Sequence, residues 1–100
     1  MIQREYRLHV AVVEHIESAF PWVLFTHSGK GRDETHAHFL SKMGYRAGTP
    51  DLLLFWDRKF AGIELKVGSK QSPDQRTFEQ LFTKKGGLYA VCRSVRGVHH

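Results

Sequence analysis

The stretch Asp51-Leu52-Leu53-Leu54-Phe55-Trp56-Asp57-Arg58-Lys59-Phe60-Ala61-Gly62-Ile63-Glu64-Leu65-Lys66-Val67 decides the architecture, because it holds two apolar runs separated by a short polar break. Leu52 to Trp56 is almost continuously apolar, the pattern of a central strand covered on both faces. Asp57-Arg58-Lys59 supplies a polar turn, and Phe60 to Val67 reads as a second strand that pairs with the first as a hairpin. Glu64 and Lys66 are two residues apart on that strand, so both side chains leave one face while Ile63, Leu65 and Val67 leave the other. A carboxylate and an ammonium set into an apolar strand carry a desolvation cost that folding alone would seldom select. The pair is therefore expected to line a cleft. Asp51 follows Pro50 at the mouth of the preceding strand, where a hairpin brings it towards Glu64. Converging carboxylates repel unless a cation lies between them, so a divalent metal held by Asp51 and Glu64 is expected.

On the N-terminal side, Leu8, Val12, Val13, Ile16 and Phe20 recur at helical spacing, predicting an amphipathic helix from about Gln3 to Ala19 that Pro21 closes. Trp22-Val23-Leu24-Phe25-Thr26 reads as a buried strand, followed by a loop at Ser28-Gly29-Lys30-Gly31. Asp33 or Thr35 can cap a short helix through Met43, before Gly44, Gly48 and Pro50 punctuate the chain. On the C-terminal side, Ser72-Pro73-Asp74-Gln75 carries a capping Ser, a Pro at the first helical position and a Gln three residues past the cap. Phe78, Leu81 and Phe82 give that helix its inner face, Gly86-Gly87 ends it, and Leu88 to Cys92 forms a last strand. The order helix, strand, helix, strand, strand, helix, strand predicts an α/β fold, a mixed central sheet flanked by helices. With 100 residues, the chain is read as a single domain spanning residues 1–100.

A net charge of +5 and a pI near 9.7 attract polyanions, which favours nucleic acid over a basic partner. The single cysteine, Cys92, sits in an apolar strand and is expected to be a buried thiol. No apolar stretch approaches the roughly 20 residues that span a bilayer, so no membrane association is expected and the protein is placed in the cytoplasm. His36 and His38 diverge by about 200° on a helix and do not readily share one zinc ion. The Gly-rich loop lacks the full Walker A pattern, so no nucleotide cofactor is expected.

Gly48-Thr49-Pro50-Asp51, then Glu64-Leu65-Lys66, then Gln75 at the next helix start, resembles the virus-type replication-repair nuclease (VRR-Nuc) branch of the PD-(D/E)xK nucleases. A bare Pro-Asp or Glu-x-Lys is common. Both on apolar strands, followed by Ser-x-x-Gln, make a more specific composite. The resemblance implies a restriction-endonuclease-like core, dependence on Mg²⁺ or Mn²⁺, and cleavage of DNA. By it Asp51 and Glu64 ligate metal and Lys66 positions and activate the attacking water. Gln75 faces the site by the same resemblance, or else only completes the capping box with Ser72. Helical geometry aligns Glu5 with Val12 and Ile16, so Glu5 is expected to face inward, and the resemblance, in which a related helix carboxylate assists metal binding, implies a further metal carboxylate there, unless it is an ordinary first-turn Glu. Glu14 projects from the opposite side and is the weaker alternative.

The loop Ser28-Gly29-Lys30-Gly31-Arg32 resembles the Ser-Gly loop of this group, and Ser28, Lys30 and Arg32 are expected to contact DNA unless the loop is a flexible turn, while Arg46, just ahead of Asp51, is expected to touch a phosphate near the cleft. Short stand-alone relatives resemble enzymes from bacteria or phage-infected hosts that resolve four-way (Holliday) junctions, which implies branched DNA as partner and a homodimer with two active sites. The alternatives are a monomeric flap or nicking nuclease, and a catalytically inactive nucleic-acid-binding module.

Overall fold

In the computed structural model, residues 2–29 and 42–94 are described. Helix α1 runs over Ile2–Ala19. Its apolar spacing buries Val12 and Ile16 completely, with Leu8 and Val13 packed beside them. Burial on this scale contributes about 1.5–3 kcal/mol per side chain. The Phe20 N–H still bonds the Ile16 carbonyl at 2.9 Å, after which Pro21 stops the helix and the Val23 N–H closes a turn on the Phe20 carbonyl at 3.0 Å.

That turn corrects the expectation for the first strand. Strand β1 spans Leu24–His27, two residues later than the apolar run suggests, and Trp22 is 63% exposed within the turn. Nor is β1 buried, because it is an edge strand of a four-stranded sheet ordered β1-β2-β3-β4 and Leu24 is 71% exposed. An apolar run marks strand tendency without saying which strand has a neighbour on each side.

The hairpin forms as expected. Strand β2, Leu52–Trp56, pairs antiparallel with β3, Lys59–Leu65, from Leu52 opposite Ile63 to Trp56 opposite Lys59. Only Asp57 and Arg58 remain between the strands, at φ 42° and 64°, the left-handed pair that a two-residue hairpin turn matching strand twist requires. Helix α2, Pro73–Lys84, then crosses over so that strand β4, Leu88–Cys92, lies parallel to β3. The sheet is mixed, as the element order implied.

The two helices cover opposite faces. Leu52, Leu54, Ile63, Leu65 and Cys92 meet Val12 and Ile16 of α1 in one core. On the other face the Phe82 ring of α2 packs edge-on against Phe60, with centroids 5.1 Å apart. Gly87 opens the space between them, since a Cβ there would come within 2.6 Å of Phe60 Cε2, and Gly62 makes room for Pro50, whose Cγ would lie 2.6 Å from a Cβ at that position. The short helix expected from Asp33 or Thr35 lies outside the described residues apart from its end at Lys42, where the chain turns through Gly44 at φ 100°.

Candidate active site

The hairpin register that sets Leu52 opposite Ile63 continues by one step to bring Asp51 beside Glu64, at the end of the sheet where β3 stops. Asp51 is half-buried, and its Oδ2 accepts the Leu65 N–H at 2.7 Å. A carboxylate that takes a backbone N–H at a strand end is fixed in direction. Glu64 is 1% exposed, among the most buried side chains of the described residues. Its Oε2 accepts a hydrogen bond from Gln75 Nε2 at 2.9 Å.

Gln75 settles the choice left by the sequence by doing both things. Its Oε1 accepts the Ser72 N–H at 2.7 Å, and its own N–H donates to Ser72 Oγ at 3.2 Å, completing the capping box of α2. Because a backbone N–H can only donate, the amide oxygen must face Ser72 and the amide nitrogen must face Glu64. The helix start thus orients a buried carboxylate on the neighbouring strand.

Gly48-Thr49-Pro50 delivers Asp51 to this place. Gly48, at φ 86°, lies against the first turn of α2, where a Cβ would collide with the Asp74 carbonyl and approach the Gln75 nitrogen to 2.8 Å. Only glycine lets the two backbones approach so closely. Thr49 is buried, and both its hydroxyl and its N–H bond the Arg46 carbonyl. The Arg46 side chain is exposed. Lys66 is half-buried just past β3, and its N–H bonds the Cys92 carbonyl at 3.1 Å, extending the pleat that sets it on the face of Glu64.

The carboxylates extend their field to two tyrosines that sequence reading passed over. Tyr45 is raised above its ordinary value by burial, with Asp51 and Glu64 adding to the effect and a hydrogen bond to Thr49 opposing it. Tyr89 is pushed up to about 12, first by burial, with Glu64, Glu79 and Asp51 reinforcing and Gln71 opposing. Both hydroxyls therefore stay protonated beside the acidic pair. The Cys92 thiol, buried as expected, is raised by that burial.

Glu5 does not face inward: it is exposed, one turn before Leu8, which packs on the core. His9, one turn later on the same stripe, is partly buried, lies within the electrostatic reach of Asp51 and stacks on His27 of β1 with centroids 5.0 Å apart. The helical spacing that singled out Glu5 applies equally to His9, and is the signal that could have found it. Ser28 donates its N–H to the Asp51 carbonyl at 2.9 Å, while its hydroxyl is buried and meets no hydrogen-bond partner among the described residues. It anchors the loop to Asp51 and does not present an open donor. Lys30 and Arg32 lie outside the described residues. A shallow apolar groove of about 410 Å³ at the opposite end of the hairpin, lined by Leu24, Phe55, Trp56 and Phe60, is no part of this site.

Among the described residues no three of His, Cys, Asp and Glu gather as a metal cluster. Two carboxylates at one strand end, as Asp51 and Glu64 are, could hold a hard cation such as Mg²⁺, which keeps several waters and takes only one or two protein carboxylates.

The sequence profile of the VRR-NUC domain matches residues 3–96. The chain belongs to the VRR-NUC family. Among solved structures it is similar to a VRR_NUC domain protein, with a TM-score of 0.75 and 22% identity over 95% of this chain and 81% of that one. A second, described as a VRR_NUC domain, gives a TM-score of 0.69 and 25% identity over 96% of this chain and 90% of that one. Comparison with curated proteins found no match. The mixed four-stranded sheet with its two described helices is accordingly the nuclease-type fold of the VRR-NUC family.

Proposed function

We propose that this chain is a divalent-metal-dependent endodeoxyribonuclease that hydrolyses phosphodiester bonds of branched DNA as a homodimer. The observation that carries the reading is Glu64, 1% exposed yet held by Gln75 at the same strand end as Asp51. A buried carboxylate beside a second one is costly in a structure that does not use them, and a cation offsets that cost. Asp51 and Glu64 would hold Mg²⁺ or Mn²⁺, and such an ion supplies Lewis-acid activation of water and charge neutralisation at the phosphate.

The chain's own residues do the rest. Gln75 keeps Glu64 aimed, the Leu65 N–H keeps Asp51 aimed, and Lys66 holds the attacking water and offsets negative charge developing on the phosphoryl oxygens. The water oxygen bonds to phosphorus and gives up one proton to solvent, the P–O ester bond breaks, and the departing oxygen takes up a proton from solvent. Arg46, with Lys30 and Arg32, supplies positive charge for the DNA backbone.

A homodimer would present two such sites to opposed strands of a four-way junction, matching two-fold symmetry with two-fold symmetry. Labelled four-way, flap and duplex DNAs incubated with the protein and Mg²⁺ or Mn²⁺, with EDTA controls and light scattering on the same sample, test this. Paired incision of junctions by a dimer is expected. Flap cutting by a monomer would refute the junction reading alone, and an absence of cutting on every substrate would refute the nuclease.

A further inference from the structure

His9 and His27 stack at the α1 side of Asp51 with their ring planes 11° apart. Three observations place them near Asp51. His27 lies opposite Leu52 in the β1–β2 register, one residue from Asp51. The next residue, Ser28, donates its N–H to the Asp51 carbonyl. His9 in turn lies within the electrostatic reach of Asp51.

We propose that His27, braced by His9, is a DNA-contacting residue that donates a hydrogen bond from Nε2–H to a backbone phosphate beside the one being cut. The inference rests on the nuclease reading and adds a substrate contact to it. The Gly29 N–H donates to His27 Nδ1 at 2.8 Å, so Nδ1 carries a lone pair and the ring proton sits on Nε2. The ring is thus held as a neutral donor whose N–H faces away from the loop, on an exposed side chain. Gly29 reaches this position at φ 89° with nothing within 4 Å of where a Cβ would stand, so its role there is conformational.

Burial is the largest cause lowering the pKa of His9, which favours the uncharged ring that stacks on a neutral His27 without repulsion. Metal chelation by the pair does not fit. An imidazole lone pair lies in its ring plane, and two nearly parallel planes with centroids 5.0 Å apart do not converge on one ion. The Nδ1 of His27 is in any case engaged by Gly29. A purely cohesive role for the stack would leave His27 covered, yet it is exposed.

The test uses two replacements that each keep half of the imidazole. His27→Asn keeps an acceptor near Nδ1 for Gly29 and removes the outward donor, whereas His27→Gln places an amide N–H near Nε2. Cleavage of a labelled four-way junction with Mn²⁺ should fall about ten-fold in kcat/KM for Asn and recover to within about three-fold for Gln, the scale of one hydrogen bond to a charged group. Thermal melting points of the two should agree. A junction carrying a single neutral methylphosphonate at the contacted position should erase the gap between wild type and His27→Asn.

Normal turnover by His27→Asn, equal loss in both variants, or a working Asn beside a failing Gln would overturn the proposal, the last by showing that only the loop anchor matters. If wild type itself cuts no DNA, the nuclease reading fails. Anisotropy of the labelled junction with the same variants in EDTA then decides the phosphate contact alone, weaker binding by Asn than by Gln supporting it and equal binding overturning it.

Discussion

The two carboxylates differ in how they are held, and the difference sets what each substitution should do. Asp51 accepts the Leu65 N–H through one oxygen, a bond that the Oδ1 of Asp51→Asn can also accept. Glu64→Gln keeps shape but sets an amide against the Gln75 amide, and rotating its oxygen towards Gln75 preserves the contact at 2.9 Å. Both variants should therefore fold, with stability changed by less than about 1.5 kcal/mol. Both should lose cleavage while binding DNA about as well as wild type, because the basic surface is untouched. Turnover assays beside anisotropy check this, and undiminished cutting by either variant would remove that residue from the site. Tyr89 gives a pH signature at the same scale. Burial pushes it up to about 12, so the folded chain keeps a proton that the unfolded chain releases near ~10. The stabilisation is full below that lower value and is lost as pH rises through about 12. Urea unfolding between these limits should show stability falling with pH, and falling less steeply in Tyr89→Phe.

Elements carry this site through close backbone approaches as much as through side chains. Gly48 and Gly44 both have positive φ, 86° and 100°, but only Gly48 faces an obstacle, the backbone of Asp74 and Gln75. Gly44→Ala should cost only the left-handed strain, about 1–2 kcal/mol. Gly48→Ala adds a collision that forces the start of α2 away, and should cost clearly more and reduce cleavage by displacing Gln75 from Glu64. Chemical denaturation of the two alanines, with cleavage measured on the folded fraction, separates strain from displacement. Equal losses in both would mean that the approach of Gly48 to α2 is unimportant. The contrast also shows what could be read from the sequence. Glu64 and Lys66 were legible because strand alternation is local, and Asp51 because a hairpin register is nearly local. The capping box was legible from residue types alone, whereas the use of Gln75's second amide atom depends on how α2 docks on β3, a long-range fact. Glu5 was misplaced for the same reason: periodicity gave the correct stripe of α1 but not the turn at which the stripe reaches the sheet, which is that of Leu8 and His9.

At the scale of the whole molecule, the sheet is covered by α1 on one face and α2 on the other, and the Asp51–Glu64 pair sits at the end of the hairpin strands opposite the Asp57-Arg58 turn. On the proposed reading, a phosphate backbone approaching that end would meet Arg46 on the segment before Asp51 and His27 at the end of β1. The overall charge of +5 draws the polyanion in, while individual side chains decide where it rests. Binding through such contacts releases counterions in proportion to the phosphates neutralised. With about four phosphates engaged, raising salt from 50 to 200 mM should weaken binding by roughly 100-fold. Arg46→Ala should flatten the slope of log affinity against log salt by about one, whereas His27→Asn, which removes a neutral donor, should lower affinity without changing the slope. Anisotropy titrations in EDTA over that range measure both. A slope unchanged in Arg46→Ala would place the DNA track elsewhere on the surface, and a slope lowered by His27→Asn would mean that His27 meets the phosphate as a cation instead of as the neutral donor that its bond from Gly29 requires.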